Sequence, residues 1–200
     1  MAQRAIQSVD DGELEIYPSE FITDWKIWHE NIRPWCISRQ LWWGHRIPAY
    51  HIFIDGIAQD DKNGWIAAHN GDEALKLACE KTKIFDKNRI KVIQDEDVLD
   101  TWFSSALVPF SSLGWPDTEN NDEYANYFPG TCIQTAFDIL TFWLSRMVMI
   151  SLELNDKLPF KKILLNPLIR DAQGRKMSKS LGNVINIYNI IYEKSTLLCL

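Results

Sequence analysis

The sequence predicts a mixed α/β fold whose second half forms a parallel sheet. Strand-like segments near 91–94, 131–135 and 162–169 are separated by helical patterns, and such alternation favours parallel pairing. A hydrophobic content of 46% in 200 residues is enough for one compact domain of ordinary size, or for one with a small appendage. This composition excludes a disordered or collagen-like chain.

The first predicted element is a short amphipathic helix after a turn at 17–19. Four apolar residues lie three and four positions apart, as on one helix face: Trp25, Trp28, Ile32 and Trp35. We expect Pro34 to end this helix. Residues 35–39 then begin in a strand-like pattern, ahead of a loop around Gly44.

A hairpin and a helix are predicted next. Residues 50–57 alternate in polarity as a strand does, turn residues follow at 60–64, and 65–68 would be the returning strand. Residues 72–82 fit a small amphipathic helix. These segments together predict a small β-hairpin and helix insertion at 49–90.

Three further helix signals follow in the second half. Residues 104–113 are a helix candidate. Asp138 is placed to cap a long apolar helix that runs to about residue 154 and ends at 155–156. The last helix signal covers 185–192.

The charge of the chain is acidic as a whole and uneven along its length. Lys and Arg number 21 against 27 Asp and Glu, and this formal charge of −6 is unlike that of a nucleic-acid-binding molecule. Residues 94–138 contain nine acidic residues and no Lys or Arg, whereas 139–200 contain nine basic and four acidic residues. A local basic surface near the C-terminus could therefore meet phosphate.

The cysteine spacing and the N-terminus bear on the compartment of the protein. Cys36, Cys79, Cys132 and Cys199 are more than 40 residues apart and form no zinc knuckle or Cys-x-x-Cys pair, so we expect reduced thiols. The N-terminus lacks the apolar segment of a signal peptide, and Arg146 interrupts the longest apolar helix. We expect a soluble, cytoplasmic protein without a membrane partner.

The sharpest motif is the basic loop at 174–180, G-R-K-M-S-K-S. Lys176 and Lys179 lie three residues apart between a strand and a helix signal, and Ser178 and Ser180 add hydroxyl donors. Cations that tighten on the leaving pyrophosphate would lower the barrier for displacement at the α-phosphorus of ATP. A solvated loop is the alternative for a general Lys-x-x-Lys pair, but the pentapeptide K-M-S-K-S is far more specific.

Two further blocks are long and distinctive. They are W-C-I-S-R-Q-L-W-W-G-H-R-I-P at 35–48 and Q-D-E-D-V-L-D-T-W-F-S-S at 94–105. Together with 160–184, which contains the basic loop, these blocks resemble the class I aminoacyl-tRNA synthetases, and most closely the valyl-tRNA synthetase family. The resemblance extends from about residue 25 to residue 191.

The resemblance implies a Rossmann-like parallel sheet that forms only the C-terminal half of a synthetase catalytic domain. Residues 1–48 would connect the editing insertion back to the catalytic domain, 49–90 would be the hairpin and helix insertion, and 91–200 the nucleotide-binding half with the basic loop. The family's first ATP-binding motif, H-I-G-H, is absent from the 200 residues, since H-R-I-P at 45–48 belongs to another block.

The resemblance also assigns residues to ATP. Lys176 and Lys179 would be the catalytic residues that stabilise the triphosphate in the transition state. Asp138, in the sequence T-A-F-D, would hold the ribose; from the residues alone it could equally be only a helix cap. The other ATP-binding residues would be Met177, Ser178 and Ser180.

Three residues would form the valine pocket. Trp102, Ile139 and Trp143 would exclude larger side chains by shape, because overpacking is costly; ordinary core positions are the alternative. The implied reaction activates valine with ATP to valyl-adenylate and transfers it to tRNA(Val). Magnesium would accompany ATP. We expect a monomer without a protein-bound metal, because the acidic run at 95–100 and the four histidines lack a ligand spacing.

Two other functions fit parts of the sequence. Ala136 stands where the family has Gly, Asn166 and Pro167 where it has His followed by Gly or Ala, and Asn186 and Ile187 where it has Asp-Pro. With the missing H-I-G-H motif, these departures favour a truncated, catalytically inactive paralogue that acts at most as an interaction module. A relative that acts on isoleucine or leucine fits less well, because the tryptophan-rich block and D-T-W-F-S-S match the valine branch.

Overall fold

The computed structural model describes residues 1–60 and 62–192, and this part of the chain contains seven α-helices and nine β-strands. In chain order they are α1 (Ala2–Asp10), β1 (Glu15–Tyr17), α2 (Phe21–Glu30), β2 (Ser38–Arg39), β3 (Ala49–Ile54), β4 (Ile57–Ala58), β5 (Trp65–Ala67), α3 (Gly71–Thr82), β6 (Ile90–Gln94), β7 (Val98–Leu99), α4 (Thr101–Ser111), α5 (Asp122–Tyr127), β8 (Gly130–Ala136), a 3₁₀ turn (Phe137–Ile139), a π-helical segment (Leu140–Leu144), α6 (Ser145–Asn155), β9 (Phe160–Asn166) and α7 (Ile187–Tyr192). No helix within these described residues is long and apolar enough to cross a membrane.

A sheet of three parallel strands, in the order β1, β9, β8, organises the main body. Lys162 of the central strand β9 lies in register with Glu15 of β1 on one side and with Cys132 of β8 on the other. The mixed α/β fold with a parallel sheet is therefore confirmed.

The main core is formed by one face of this sheet and by helices α1, α2, α4 and α6. Met147 and Val148 of α6 and Ile163 of β9 are almost completely buried. Burial of such a side chain stabilises the fold by about 1.5–3 kcal/mol. Trp25 of α2 is also fully buried, and its indole Nε1 donates to the Ala5 carbonyl at 3.0 Å, which satisfies its only polar atom.

The segment 49–94 forms a second, antiparallel sheet around β3. β3 pairs with β4, β5 and β6, and α3 packs on this sheet through Ala74 and Ala78. α3 begins after Asn70, whose side chain accepts a hydrogen bond from the Glu73 amide at 2.9 Å. The predicted helix is present, and the two predicted strands pair as β3 and β5. The hairpin turn predicted at 60–64 is not the first one, because the chain already turns at Asp55 and Gly56 and adds strand β4 on the other side of β3.

One predicted member of the parallel sheet is wrong. The strand near 91–94 exists as β6, but it pairs antiparallel with β3, because its buried Ile90 packs into the core of the second sheet. The third parallel strand is instead β1, which was not predicted.

The end of α2 also differs from the prediction. The helix ends at Glu30, ahead of Pro34, because the Asn31 side-chain amide donates to the Ile27 carbonyl at 2.8 Å and competes with helix continuation. Ile32 and Trp35 of the predicted apolar face therefore lie outside the helix.

A buried histidine links α2 to α6. His29 is 2% exposed, and its Nδ1 lies 2.7 Å from the Trp25 carbonyl. Because a carbonyl can only accept, Nδ1 donates, and Nε2 accepts from the Ser145 hydroxyl at 2.9 Å in the neutral ring. Burial lowers the pKa of His29, since the charged imidazolium would lose its hydration.

This lowered pKa predicts a pH-dependent stability. Below an unfolded-state pKa of about 6.5, the unfolded chain binds more protons at His29 than the folded chain, so the free energy of unfolding should fall as the pH decreases from about 7 to 5. Urea unfolding of the 200-residue chain at several pH values measures this slope. His29→Phe should flatten it, whereas His69→Phe at an exposed position should not. Identical slopes for the wild type and His29→Phe would contradict the assignment.

Candidate functional site

The carboxyl ends of β8 and β9 meet at one edge of the parallel sheet. Ala136 at the end of β8 lies in register with Asn166 at the end of β9. Parallel α/β sheets bind ligands at this edge. Pro167 is the first residue beyond β9, so it constrains the start of the following loop.

Asp138 lies at this edge but does not cap a helix. The 3₁₀ turn begins without a side-chain cap, and the Asp138 carboxylate instead accepts a hydrogen bond from the Lys176 ammonium at 2.6 Å. The predicted cap is therefore wrong, because the cation of the basic loop binds the carboxylate. The residues expected at the ribose and at the triphosphate thus meet, although they are 38 positions apart.

The segment after Asp138 is irregular where one long helix was predicted. A 3₁₀ turn and a π-helical segment, Leu140–Leu144, precede α6. π-helical turns are rare and occur frequently at functional sites. The predicted exit at 155–156 is confirmed, since Asp156 adopts a left-handed conformation with φ 53°.

The remaining predicted ATP-binding residues lie on the basic loop. Lys179 is exposed, and its ammonium has no ion pair within the part of the chain that the structure describes. The hydroxyls of Ser178 and Ser180 are 3.2 Å apart. The Met177 amide donates to the Ile169 carbonyl at 3.3 Å, which holds the loop against the chain that leaves β9.

An aspartate to which the sequence patterns gave no role organises this loop. Asp171 accepts hydrogen bonds from the Gln173 and Arg175 amides at 3.1 and 2.8 Å, from the Arg175 guanidinium at 2.8 Å and from the Asn183 side chain at 2.9 Å. The hydrogen bond from Asn183, and after it those from Arg175, lower the pKa of Asp171 to about 2. The sequence signal that could have indicated Asp171 is the turn pattern D-x-x-G at 171–174, in which Gly174 adopts a φ of 75°.

The predicted valine-pocket residues lie on three elements: α4, the 3₁₀ turn and the π-helical segment. The Trp102 ring in α4 stacks against Phe142 with the centroids 6.3 Å apart. The Trp143 indole donates to the Ser105 carbonyl, one turn beyond Trp102, at 3.3 Å. Ile139 lies one turn before Trp143, and all three predicted residues are half-buried. Trp143 also packs against the main core, so its ring has a structural role as well.

An ion pair fixes the start of α4, where Trp102 lies. The Asp100 carboxylate contacts Arg39 Nε at 2.7 Å and accepts the Trp102 amide at 2.8 Å. Arg39 also donates to the carbonyls of Cys36 and Ser38. The two long sequence blocks are therefore in contact, and Asp100 and Arg39 are positioning residues that the sequence patterns did not indicate. Because of this cap, α4 begins at Thr101 and not at 104.

An apolar groove of about 1040 Å³ reaches the start of α4, where Phe103 lines it. Trp28, Trp35, Phe103 and Arg146 are among the residues that line it, and no predicted site residue does. The Arg146 guanidinium lies 3.6 Å from the centroid of the Trp35 ring, a cation–π contact.

A comparison with known protein families agrees with the parallel sheet and the basic loop, and the match covers nearly the whole chain. The chain belongs to the family described as tRNA synthetases class I (I, L, M and V), which matches residues 1–197.

Among its relatives are valine–tRNA ligases. The chain is 59% identical over 183 residues to that of Trichomonas vaginalis, which covers 92% of the chain and 37% of the relative. It is 50% identical over 194 residues to that of Caenorhabditis elegans and 48% identical over 197 residues to that of Homo sapiens; each alignment covers 96% of the chain, but only 18% and 15% of those relatives. The resemblance to valyl-tRNA synthetases is confirmed, and the chain spans well under half the length of these relatives.

Solved structures share the fold. A Mycobacterium tuberculosis methionyl-tRNA synthetase in complex with methionyl-adenylate matches 94% of the chain with a TM-score of 0.62 at 15% identity, over 28% of its own length. An Agrobacterium radiobacter K84 LeuRS matches 81% of the chain with a TM-score of 0.57 at 22% identity, over 23% of its own length. At these identities the likeness shows the fold alone.

The contacts of Asp100 predict how strongly α4 is anchored. Asp100→Ala removes the helix cap and the partner of Arg39, so the free energy of unfolding should fall by about 2–3 kcal/mol. Asp100→Asn keeps an acceptor for the amide and should cost less. Urea unfolding of the chain at pH 7 measures both variants.

Asn70→Ala is the matched control, because it removes a cap, 2.9 Å from the Glu73 amide, but no ion pair. Its expected cost is about 1 kcal/mol. Equal losses for Asp100→Ala and Asn70→Ala would show that the Arg39 contact contributes nothing.

Proposed function

We propose that this chain is part of the catalytic domain of a valine–tRNA ligase. The enzyme would activate valine with ATP to valyl-adenylate and transfer the valyl group to tRNA(Val). The observation that carries this proposal is the contact between Lys176 and Asp138 at the carboxyl edge of the parallel sheet. Two groups with complementary roles toward ATP come together there. The likeness to valine–tRNA ligases supports the choice of amino acid.

In this proposal the lysines act on the leaving group. The valine carboxylate attacks the α-phosphorus, the bond to the bridging oxygen breaks, and negative charge grows on the departing pyrophosphate. Lys176 and Lys179 stabilise that charge more strongly than the charge of bound ATP, which lowers the barrier. Lys176 must leave Asp138 to do so, and the freed carboxylate can then accept a hydrogen bond from the ribose.

Magnesium belongs to this proposal as part of the ATP substrate. The phosphate oxygens of ATP are the hard ligands that this ion prefers. The described residues contain no group of three or more His, Cys, Asp or Glu side chains that could hold a metal. The fold is compatible with adenylate chemistry, since a methionyl-tRNA synthetase of the same fold is described with methionyl-adenylate bound.

An inactive paralogue that serves as an interaction module is the second candidate. The observation that favours it is the exposure of Trp42 and Trp43, at 103% and 89%. Large exposed aromatic surfaces often mark contacts with a partner. Formation of valyl-adenylate by the isolated chain, incubated with ATP and radiolabelled valine, would exclude the inactive paralogue.

Activity can be tested in a hybrid enzyme in which this chain replaces the matching 183-residue segment of the Trichomonas vaginalis relative. We expect valine-dependent exchange of pyrophosphate into ATP. Lys176→Ala and Lys179→Ala should each lower kcat by about 100-fold, because each removes transition-state stabilisation. Lys87→Ala, an exposed position in the insertion, is the control and should have no effect. Exchange that depends on isoleucine or leucine but not on valine would refute the proposed substrate.

The valine pocket is tested by enlarging it. In the hybrid enzyme, Ile139→Ala should raise kcat/KM for isoleucine relative to valine by about tenfold, because one methylene group in an apolar pocket is worth about 1–3 kcal/mol. Ile93→Ala, at a partly exposed position of β6, provides the control. Pyrophosphate exchange with each amino acid measures the ratio, and an unchanged ratio would remove Ile139 from the pocket.

A further inference from the structure

Two polar side chains close the base of the basic loop. Asn183 Nδ2 donates a hydrogen bond to Asp171 Oδ2 at 2.9 Å and joins positions 12 residues apart on either side of K-M-S-K-S. We call Asp171 and Asn183 the loop bracket. Both residues are half-buried, and neither lies in the main core.

Each bracket residue also holds part of the loop backbone. Asp171 accepts the Arg175 amide at 2.8 Å, immediately before the first lysine of the motif. Asn183 reaches into the motif itself: its Oδ1 accepts the Ser178 amide at 2.9 Å, and its Nδ2 lies 3.4 Å from the Lys176 carbonyl. The backbone between the two lysines is therefore held by an asparagine that follows it in sequence.

Two other contacts tie the motif to the rest of the described chain. They are the ion pair of Lys176 with Asp138 and the hydrogen bond from the Met177 amide to the Ile169 carbonyl at 3.3 Å. Bound polyphosphate would break the first of these. The bracket does not involve a lysine side chain, so it can persist when that ion pair is lost.

We propose that Asp171 and Asn183 are positioning residues for adenylate formation. They hold the backbone of 176–178 so that the lysine ammonium groups are already directed at the leaving pyrophosphate when Lys176 leaves Asp138. This inference rests on the proposed function. The physical reason is preorganisation: a loop that is ordered before the reaction loses less conformational entropy in the transition state, and small misplacements of a charged group are costly.

The test compares kcat with KM in the hybrid enzyme. Asn183→Ala and Asp171→Asn should each lower kcat for valine-dependent pyrophosphate exchange by about 10- to 100-fold, because the lysines lose their alignment. The KM for valine should stay within about twofold of the wild-type value, because neither substitution removes a contact that binds valine in the ground state. Asp86→Asn is the matched control: Asp86 also begins a turn and accepts an amide at 3.0 Å, but it lies in the insertion.

An exchange of the two residues separates positioning from general damage. Asn183→Asp alone places two carboxylates together. Adding Asp171→Asn restores a donor and an acceptor across the bracket, so the double variant should recover about tenfold in kcat over Asn183→Asp. Hydrogen exchange of the amides at 176–183, measured by mass spectrometry, should be about tenfold faster in Asn183→Ala and partly restored in the double variant.

The possible outcomes distinguish the proposed function from the positioning role of Asp171 and Asn183. A wild-type hybrid without valine-dependent exchange would refute the proposed function, while faster amide exchange in Asn183→Ala would still support the bracket. In an active hybrid, an unchanged kcat for Asn183→Ala would overturn the positioning role. A double variant whose kcat is no higher than that of Asn183→Asp would also overturn it. The same holds if Asn183→Ala raises the KM for valine and lowers the melting temperature.

Discussion

The parallel register of β8 and β9 is the constraint on which the site depends. Parallel neighbours need a long crossover, and here the 3₁₀ turn, the π-helical segment and α6 carry the chain back to the start of β9. Because Ala136 lies opposite Asn166, both strands release the chain at the same edge. A shift of one residue would reverse the faces of the side chains and would separate Asp138 from Lys176.

The same crossover supplies much of the core, so the register and the packing stabilise each other. Leu144 and Val148 are completely buried against the sheet and the neighbouring helices. The end of α6 is held by Arg4 of α1, which donates to the Leu152 carbonyl and pairs with Asp156, both at 2.7 Å. A cation there satisfies the unpaired carbonyls and the dipole of the helix end. These contacts hold the chain just before the start of β9, at the opposite end of the strand from the site.

Local patterns predicted the elements whose stability is decided locally. α3 has a helical period and an Asn70 cap, and the segments of β8 and β9 are apolar and bounded by turn residues. β1 could not be predicted in this way, because Glu15–Tyr17 is only three residues long and its pairing depends on a strand near the other end of the chain. The polarity of β6 fits either sheet, so only the packing of Ile90 shows where it belongs.

At the site, the K-M-S-K-S motif identified the two lysines but not the side chains that hold the loop backbone. Asp171 and Asn183 are typical turn residues, so the sequence predicts only a loop at each position. It does not predict the hydrogen bond between the two side chains.

The pair of Lys176 and Asp138 joins the acidic segment of the sequence, which ends at Asp138, to the basic segment that follows it. The Lys176 side chain is 56% exposed, and an exposed pair stabilises by only about 0–1 kcal/mol. A bound polyphosphate can therefore replace the Asp138 carboxylate as the partner of Lys176 at little cost. The ion pair thus orders the loop in the absence of substrate and does not compete strongly with ATP.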